Sequence, residues 1–339
     1  MPPLYITTQG AKLRYRKRRL VVEKDGEQIT AVPAVHVDQV LIFGNVSVTT
    51  PALSFLLAGE IETVFLTSRG NYKGRLVGPA GGHGRLRLRQ YERAIDADWA
   101  LETARAIVTV KIHNTRTLLR RYARRMGDST NEAGRLSDAA DQLDGLIERA
   151  GRCGTVNSLS GVEGRGAAVY FSVFRDLIQA DEWTFEGRNR RPPRDPVNAM
   201  LSYGYTILTH NVESAVRAVG LDPYIGFLHQ PSYNRPSLAL DLVEAFRCII
   251  VDSVVLRSLN NNIIQPKHFD FLPTDTYPVL LREEGRSLFI RELETRLNLT
   301  FKHPETRQQV TYRRCLELQA RQLARCLQTG KQFQPFKVR

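Results

Sequence analysis

Hydrophobic and polar positions alternate with a period of two along residues 1–78, a pattern typical of half-buried β-strands. Residues 19–32 (RLVVEKDGEQITAV) form two such runs around Asp25-Gly26, and this dipeptide favours a two-residue hairpin turn. Further strands are predicted at residues 35–44 and 62–68. The pattern predicts a small β-rich domain at the start of the chain.

A glycine-rich segment at residues 79–85 interrupts this alternation and predicts a linker. From residue 86 onward the apolar positions recur with helical spacing, and Asp96 or Asp98 is predicted to cap a long helix. The sequence therefore predicts an α+β protein, in which the β-rich domain precedes a larger, all-α-helical domain over residues 86–339. The last residues (TGKQFQPFKVR, 329–339) are predicted to form a mobile tail.

The composition is that of an ordinary globular protein, with 339 residues, 42% of them hydrophobic and 24% charged. A chain of this length suggests two domains. Its apolar runs are shorter than the roughly 20 residues that span a bilayer, and the N-terminus lacks the features of an export signal. A cytoplasmic protein with no membrane partner is expected. Its four cysteines show no C-x-x-C pair and are expected to be reduced, mostly in the core.

The chain has a net charge of +13, and such an excess of positive charge indicates a polyanionic partner. Arginines dominate and are clustered, as in residues 12–19, 85–93 and 116–125. Arginine suits bidentate contacts with phosphate. Nucleic acid is therefore the expected partner.

Four residues in three segments are candidates for metal binding and catalysis. Glu163 lies among glycines where an apolar helical run begins (SLSGVEGRGAAVYF), so it is predicted to lie in a first helical turn. His229 lies in a predicted loop, and Asp241 and Glu244 follow on one helix with a spacing that places both carboxylates on one face. Several carboxylates with one imidazole suit Mg²⁺ or Mn²⁺ better than zinc.

Each of these residues also has an ordinary structural explanation. An acid near a helix N-terminus interacts favourably with the helix dipole. An acidic pair on a helix usually faces solvent, and a single histidine is more often structural than a ligand. The combination of residues, rather than any one of them, indicates a metal site.

A basic, proline-containing segment at residues 188–194 (RNRRPPR) precedes a further predicted helix. Asp195 is expected to cap that helix and Pro196 to occupy its first turn, while Tyr203 and Tyr205 are expected to pack with polar tips. The loop supplies four candidates for contacts with DNA phosphates: Arg188, Arg190, Arg191 and Arg194.

Several of these segments together resemble the CRISPR-associated integrase-endonuclease family that captures spacers, the Cas one family. The likeness covers nearly the whole chain, and the motifs occur in the family's order. The segments that carry it are VEGRGA (162–167), RNRRPPRDPVNAMLSYGYTIL (188–208), GFLH (226–229) and RPSLALDLVEAFR (235–247).

The resemblance implies an α-helical domain that holds a metal through a glutamate, a histidine and a second acid. Matched by motif, these positions fall on Glu163, His229 and Glu244, with Asp241 as a further acid close by. Some family members have Asp where this chain has Glu244, so the resemblance leaves open whether Asp241 or Glu244 binds the ion directly.

The resemblance further implies a metal-dependent DNA endonuclease and integrase that inserts short duplex fragments into a CRISPR array by transesterification, with DNA nicking as a side activity. It implies homodimers that pair through the N-terminal domains. It also implies a complex of two such dimers with a dimer of the small second acquisition protein, Cas two.

Two other functions are compatible with parts of the sequence. A non-catalytic DNA-binding scaffold would use the arginines while the acids stay solvated and His229 is structural. A paired-carboxylate hydrolase acting on sugars needs acids that face each other across a cleft, and it does not need the arginines.

Overall fold

The computed structural model of the chain describes residues 3–59, 61–68, 72–78, 83–127, 130–190, 192–273, 278–304 and 306–338. These residues divide into two compact units. The first unit takes the described residues up to Gly78 together with His268–Asp270 and Leu280–Ser287, and the second takes the others. Two short segments beyond residue 86 therefore group with the N-terminal unit.

The N-terminal part is rich in strands, as predicted. Its elements are, in chain order, β1 (Leu4–Ile6), β2 (Lys12–Arg16), β3 (Arg19–Lys24), β4 (Glu27–Pro33), β5 (Gln39–Phe43), β6 (Ser47–Val48), α1 (Thr50–Ala58), β7 (Glu62–Leu66) and β8 (Tyr72–Leu76). The strands form two four-stranded sheets, in the orders β1-β5-β7-β8 and β4-β3-β2-β6. In the first sheet β1, β5 and β7 are parallel and β8 is antiparallel to β7.

The predicted hairpin is confirmed between β3 and β4, which pair as antiparallel strands. Asp25 and Gly26 both have positive φ (51° and 87°), as a turn that follows the twist of a hairpin requires. The hairpin brings Leu20 of β3 into one hydrophobic cluster with Val40 and Ile42 of β5. The local turn chemistry and the alternation of apolar residues thus agree.

Among the described residues, the remainder of the chain is mainly helical, as predicted, with four short strands in addition. Its helices are α2 (Gly84–Ile95), α3 (Ala97–Met126), α4 (Asn131–Gly151), α5 (Val156–Ser172), α6 (Pro196–Ala218), α7 (Ser237–Val243), α8 (Ser253–Asn260), α9 (Glu283–Asn298) and α10 (Tyr312–Thr329). The strands are β9 (Phe269–Phe271), β10 (Val279–Leu281), β11 (Thr300–Lys302) and β12 (Gln309–Thr311). A π-helical turn at Cys248–Asp252 precedes α8.

Two predicted helix starts are confirmed by their caps. The side chain of Asp96 accepts a hydrogen bond from the backbone N–H of Trp99 at the start of α3. Asp195 caps α6, whose first residue is Pro196. In the predicted linker, residues 79–82 lie outside the described residues, and α2 begins at Gly84, so the last two linker positions are helical. A glycine is tolerated there because the first helical turn has few intrahelical hydrogen bonds to lose.

None of the four cysteines forms a disulfide and all four are buried, in agreement with the expectation of core thiols. In the part of the chain that the structure describes, no helix combines the length and the apolar character needed to cross a lipid bilayer.

The segment that follows α10 packs against α3, although the sequence predicts a mobile tail there. Phe333 and Phe336 are buried, and the ring of Phe336 stacks on Phe246 with 5.4 Å between the centroids. The amide of Asn114 in α3 donates to the Phe336 carbonyl (2.9 Å) and accepts from the Val338 N–H (3.0 Å). The sequence misses this docking because only two isolated phenylalanines interrupt a polar segment.

We expect Phe336→Ala to lower the free energy of unfolding by about 3–5 kcal/mol, since it removes a buried aromatic ring and leaves a cavity. Urea denaturation followed by tryptophan fluorescence measures the change. The matched control is Phe271→Ala, because Phe271 is 63% exposed whereas Phe336 is 4% exposed. Equal, small effects of both substitutions would show that the segment is not docked in solution.

Candidate metal site

Asp241 organises the loop that carries His229. Its fully buried carboxylate accepts hydrogen bonds from three consecutive backbone N–H groups, those of Phe227 (2.6 Å), Leu228 (3.1 Å) and His229 (2.9 Å). Gly226 begins this loop, and a Cβ there would lie 2.7 Å from Oδ2 of Asp241. Only glycine allows the backbone to wrap this closely around the carboxylate.

The same carboxylate fixes the imidazole of His229. The Nδ1 of His229 lies 2.7 Å from Oδ1 of Asp241, so Nδ1 donates its proton and Nε2 keeps its lone pair in the neutral ring. A carboxylate behind a histidine in this way is the usual outer partner of a metal-binding imidazole. Asp241 already accepts four hydrogen bonds, which makes it the residue that orients His229.

Glu163 and Glu244 reach the site from different elements and meet at one ammonium group. Lys111 of α3 contacts Oε1 of Glu163 in α5, and its Nζ lies 2.5 Å from Oε2 of Glu244, the residue that follows α7. Oε1 of Glu244 accepts from the Arg247 guanidinium at 2.7 Å. Two distant glutamates therefore share one cation position.

Glu244 is ionised although it is almost completely buried (2% exposed). Burial raises the pKa of this carboxyl, but the charges of Arg247 and Lys111, with a smaller contribution from His229, more than offset that effect and lower the pKa to about 2. Glu163 and Glu244 thus meet at the ammonium of Lys111, whereas Asp241 contacts His229.

Glu163 lies in the interior of α5, and its predicted position in a first helical turn is wrong. The helix begins after Thr155, which forms a capping box with Ser158. The glycines that suggested a helix start have another role in at least one case, since a Cβ at Gly166 would lie 3.2 Å from the side chain of Ile112 in α3. Gly166 permits the close approach of α5 to α3.

A small cavity of about 30 Å³ lies beside these groups, a volume that suits one ion or water molecule. Its polar lining includes Lys111, Glu163, Arg190, Glu244, Arg247 and Asp252. Among the described residues, no group of three or more histidines, cysteines and acids lies close enough together to form a complete metal site. The ammonium of Lys111 lies between the two glutamates.

Asp252 is a further buried acid, and no role for it is predicted from the sequence. Its carboxylate accepts from the hydroxyls of Tyr170 (2.8 Å) and Tyr205 (2.5 Å). The guanidinium of Arg247 lies 4.2 Å from the centroid of the Tyr205 ring. A chain of contacts therefore runs from Asp252 through Tyr205 and Arg247 to Glu244, and the predicted polar tip of Tyr205 belongs to it. The sequence feature that indicates a buried acid here is the aspartate inside the apolar run CIIVDSVVL.

The predicted DNA-contacting arginines differ in their surroundings. Arg188 donates to Oδ1 of Asn198 (2.7 Å) and to Oγ of Ser202 (3.0 Å) on α6, and burial lowers its pKa to about 10. Arg190 and Arg194 are exposed. Arg191 lies outside the described residues. Arg188 therefore ties the loop to α6, while Arg190 and Arg194 are accessible to a ligand.

We expect the stability of the protein to depend on pH through Asp252. Burial raises the pKa of its carboxyl from 3.8 to about 6, although the tyrosine hydroxyls and Arg247 act to lower it. A raised pKa means that the folded state binds the proton more tightly. The corresponding stability is present below about pH 4 and is lost as the pH rises through 6.

Relative to Asp252→Asn, the wild type should therefore lose about 2–3 kcal/mol of unfolding free energy between pH 4 and pH 7. Urea denaturation across this range measures the difference. The exposed Asp181→Asn should follow the wild type. Parallel curves for the wild type and Asp252→Asn would contradict the assignment.

Comparison with known proteins agrees with the resemblance found in the motifs. The family model described as CRISPR associated protein Cas1 matches residues 4–295. The chain is 37% identical over 337 residues to a CRISPR-associated endonuclease Cas1 of Thermus thermophilus, with 98% of each chain covered. It is 38% identical over 331 residues to a Cas4 exonuclease/Cas1 endonuclease fusion of Geobacter sulfurreducens, covering 96% of this chain and 58% of the fusion.

Solved structures share the fold. A Cas1 protein from Thermotoga maritima has a TM-score of 0.82 at 27% identity, with 100% of both chains covered. A casposase bound to integration product gives 0.86 at 22% identity, covering 99% of this chain and 93% of that one. A Cas6-RT-Cas1–Cas2 complex gives 0.83 at 24% identity, covering 100% and 36%. The α+β fold class is confirmed, and the chain belongs to the Cas1 family.

Proposed function

We propose that this chain is a metal-dependent DNA endonuclease and integrase that inserts short foreign DNA fragments into a CRISPR array by transesterification. The observation that carries the proposal is the meeting of Glu163 and Glu244 at one cation position. Asp241, three residues before Glu244, holds Nδ1 of His229. The named Cas1 endonucleases among its relatives support the nuclease assignment. The fold shared with a casposase bound to integration product is compatible with strand transfer.

The residues present fit a hard divalent cation. Two carboxylates and one imidazole, with no thiolate among them, suit Mg²⁺ or Mn²⁺. Glu163, Glu244 and Nε2 of His229 would hold the ion, and Asp241 would orient the imidazole from behind. When bound, such an ion polarises the scissile phosphate and favours loss of the proton from the attacking hydroxyl.

The protein's own residues prepare the site for a phosphodiester. Arg247 fixes Oε1 of Glu244, and the hydrogen bond from His229 to Asp241 fixes the orientation of the imidazole ring. Arg190 lines the cavity and is exposed, so it can reach a phosphate of the bound strand. Arg188 holds the loop that carries Arg190 against α6. Strand transfer exchanges one phosphodiester for another, so positioning and charge compensation are the main contributions required of the protein.

Double-stranded DNA is the proposed substrate, both as the captured fragment and as the CRISPR repeat. The net charge of +13 supports a polyanionic partner. Assembly with Cas2 is proposed from the family and from the Cas6-RT-Cas1–Cas2 complex that shares the fold. Homodimer formation through residues 1–78 is proposed from the resemblance alone.

A non-catalytic DNA-binding scaffold is the second candidate, and one observation favours it. Lys111 and Arg247 already neutralise Glu163 and Glu244, so the cluster is complete as a set of partly buried ion pairs without any metal. The two candidates differ in what happens to strand transfer when a proposed ligand is removed.

We expect Glu163→Ala and His229→Ala each to reduce strand transfer more than about a hundredfold. Removal of a residue that only supports a metal ligand already costs about 10–100-fold, and removal of a ligand itself should cost more. DNA binding should persist. The assay follows a labelled duplex with 3′ hydroxyl ends into a plasmid that carries the repeat, with Mg²⁺ or Mn²⁺ present. EDTA should abolish the reaction in the wild type. The matched control is Glu148→Ala, which removes an exposed glutamate of α4.

Transfer that survives both substitutions would remove the proposed site. A wild type that binds DNA but transfers no strand under any divalent cation would support the scaffold.

We expect the pair Arg190→Ala and Arg194→Ala to weaken DNA binding and to reduce the slope of log affinity against log salt by about 2, roughly one unit for each lost phosphate contact. Fluorescence anisotropy from 50 to 300 mM salt measures the slope. An unchanged slope would show that this loop faces away from the DNA. Arg188→Ala separates the two roles, because it should lower thermal stability through loss of its bonds to α6.

A further inference from the structure

Lys111 occupies the position that the two candidate metal ligands share. Its ammonium contacts Glu163 and lies 2.5 Å from Oε2 of Glu244, and the lysine side chain is only 13% exposed. The glutamates come from α5 and from the residue after α7, while the lysine comes from α3. Three separate elements therefore converge on one partly buried cation.

The cluster is electrically balanced as it stands. Glu163 and Glu244 contribute two negative charges, and Lys111 and Arg247 contribute two positive charges. Adding a divalent cation between the glutamates while Lys111 stays in place would leave an uncompensated charge of +2 in a nearly buried site. Such a charge is strongly unfavourable in a region of low dielectric constant. Binding of a divalent cation between the glutamates therefore requires that Lys111 move away or that an anion bind together with the cation.

A lysine can both move away from the glutamates and pair with an arriving anion. Its four-carbon stem is flexible, and the ammonium is a compact point charge that can leave one carboxylate pair for another acceptor. The nearest anion that the proposed reaction supplies is a DNA phosphate, because the cavity beside Lys111 is also lined by the exposed Arg190. Arg247 is less free to move, since it is held between Glu244 and the ring of Tyr205.

We propose that Lys111 couples divalent-cation binding to DNA binding: it holds Glu163 and Glu244 together when the cation is absent, and it pairs with a DNA phosphate when the cation takes its place. The inference rests on the proposed function of the same site. It predicts that the cation binds weakly to the free protein and more tightly to the DNA complex. By linkage, DNA ends bind more tightly when the cation is present, by the same factor.

The experiment measures Mn²⁺ binding to the full chain from the electron paramagnetic resonance signal of free Mn²⁺. Titrations are carried out without DNA and with a saturating short duplex that has 3′ hydroxyl ends. For the wild type we expect DNA to raise the affinity for Mn²⁺ roughly tenfold. For Lys111→Met we expect roughly tenfold tighter Mn²⁺ binding without DNA, because the competing ammonium is gone, and little further gain from DNA.

Three further variants make the result specific. Lys302→Met removes an exposed lysine of β11 and should behave as the wild type, which controls for the loss of one positive charge. Lys111→Arg keeps the charge and should keep the gain from DNA. Lys111→Gln is titrated in parallel, so that misfolding of the methionine variant, checked by circular dichroism, does not decide the outcome.

The proposal is overturned if neutral substitution of Lys111 leaves both the Mn²⁺ affinity and the gain from DNA as they are in the wild type. In that case Lys111 is a structural ion-pair partner, and the proposed metal site itself stands. If the wild type binds no Mn²⁺ even with DNA, the proposed function fails, and this inference fails with it. The two failures are distinguishable because the first leaves wild-type binding intact.

Discussion

The site depends on how two buried acids on one apolar segment are compensated. Asp241 and Glu244 lie three residues apart, and both are almost completely removed from solvent, where an uncompensated carboxylate would be very costly. Asp241 is compensated by backbone N–H groups, and this requires the preceding loop to wrap around it and carry His229 into place. Glu244 is compensated by side-chain cations from α3 and from its own segment. The need to satisfy both acids thus determines the positions of His229 and Lys111.

Helix α3 also links the segment that carries Glu244 to the C-terminal segment. Three residues after Lys111, the side-chain amide of Asn114 donates to the carbonyl of Ala245, directly after Glu244, at 2.8 Å. The same amide donates to the carbonyl of Phe336. The C-terminal segment and the segment that carries Glu244 therefore share one buried hydrogen-bonding group. Docking of the C-terminal residues helps to hold the backbone next to Glu244, because a buried amide left without its partners would be destabilising.

The sequence predicts the parts of this arrangement that local chemistry determines. The Asp25-Gly26 turn and the caps at Asp96 and Asp195 follow from preferences within a few residues. The predicted first-turn position of Glu163 is wrong because Thr155 and Ser158 form the capping box eight and five residues earlier, so the glycines around Glu163 lie inside the helix. Lys111 precedes Glu163 by 52 residues, and no local pattern links the two. Such pairings depend on helix packing, which a single sequence without a structural comparison does not specify.

A structural role alone explains the charge cluster poorly. Replacement of a buried ion pair by apolar residues of similar volume is often neutral or stabilising, because desolvation of the charges consumes much of their mutual attraction. Here two glutamates, a lysine and an arginine meet beside a cavity that suits a single ion, and Asp252 and two tyrosines brace the arginine from behind. A protein that needed only stability at this position would gain more from a packed apolar core. The proposed redistribution of charge explains the cluster better: the lysine would leave its position between the glutamates to a divalent ion when a phosphate is present to receive the ammonium.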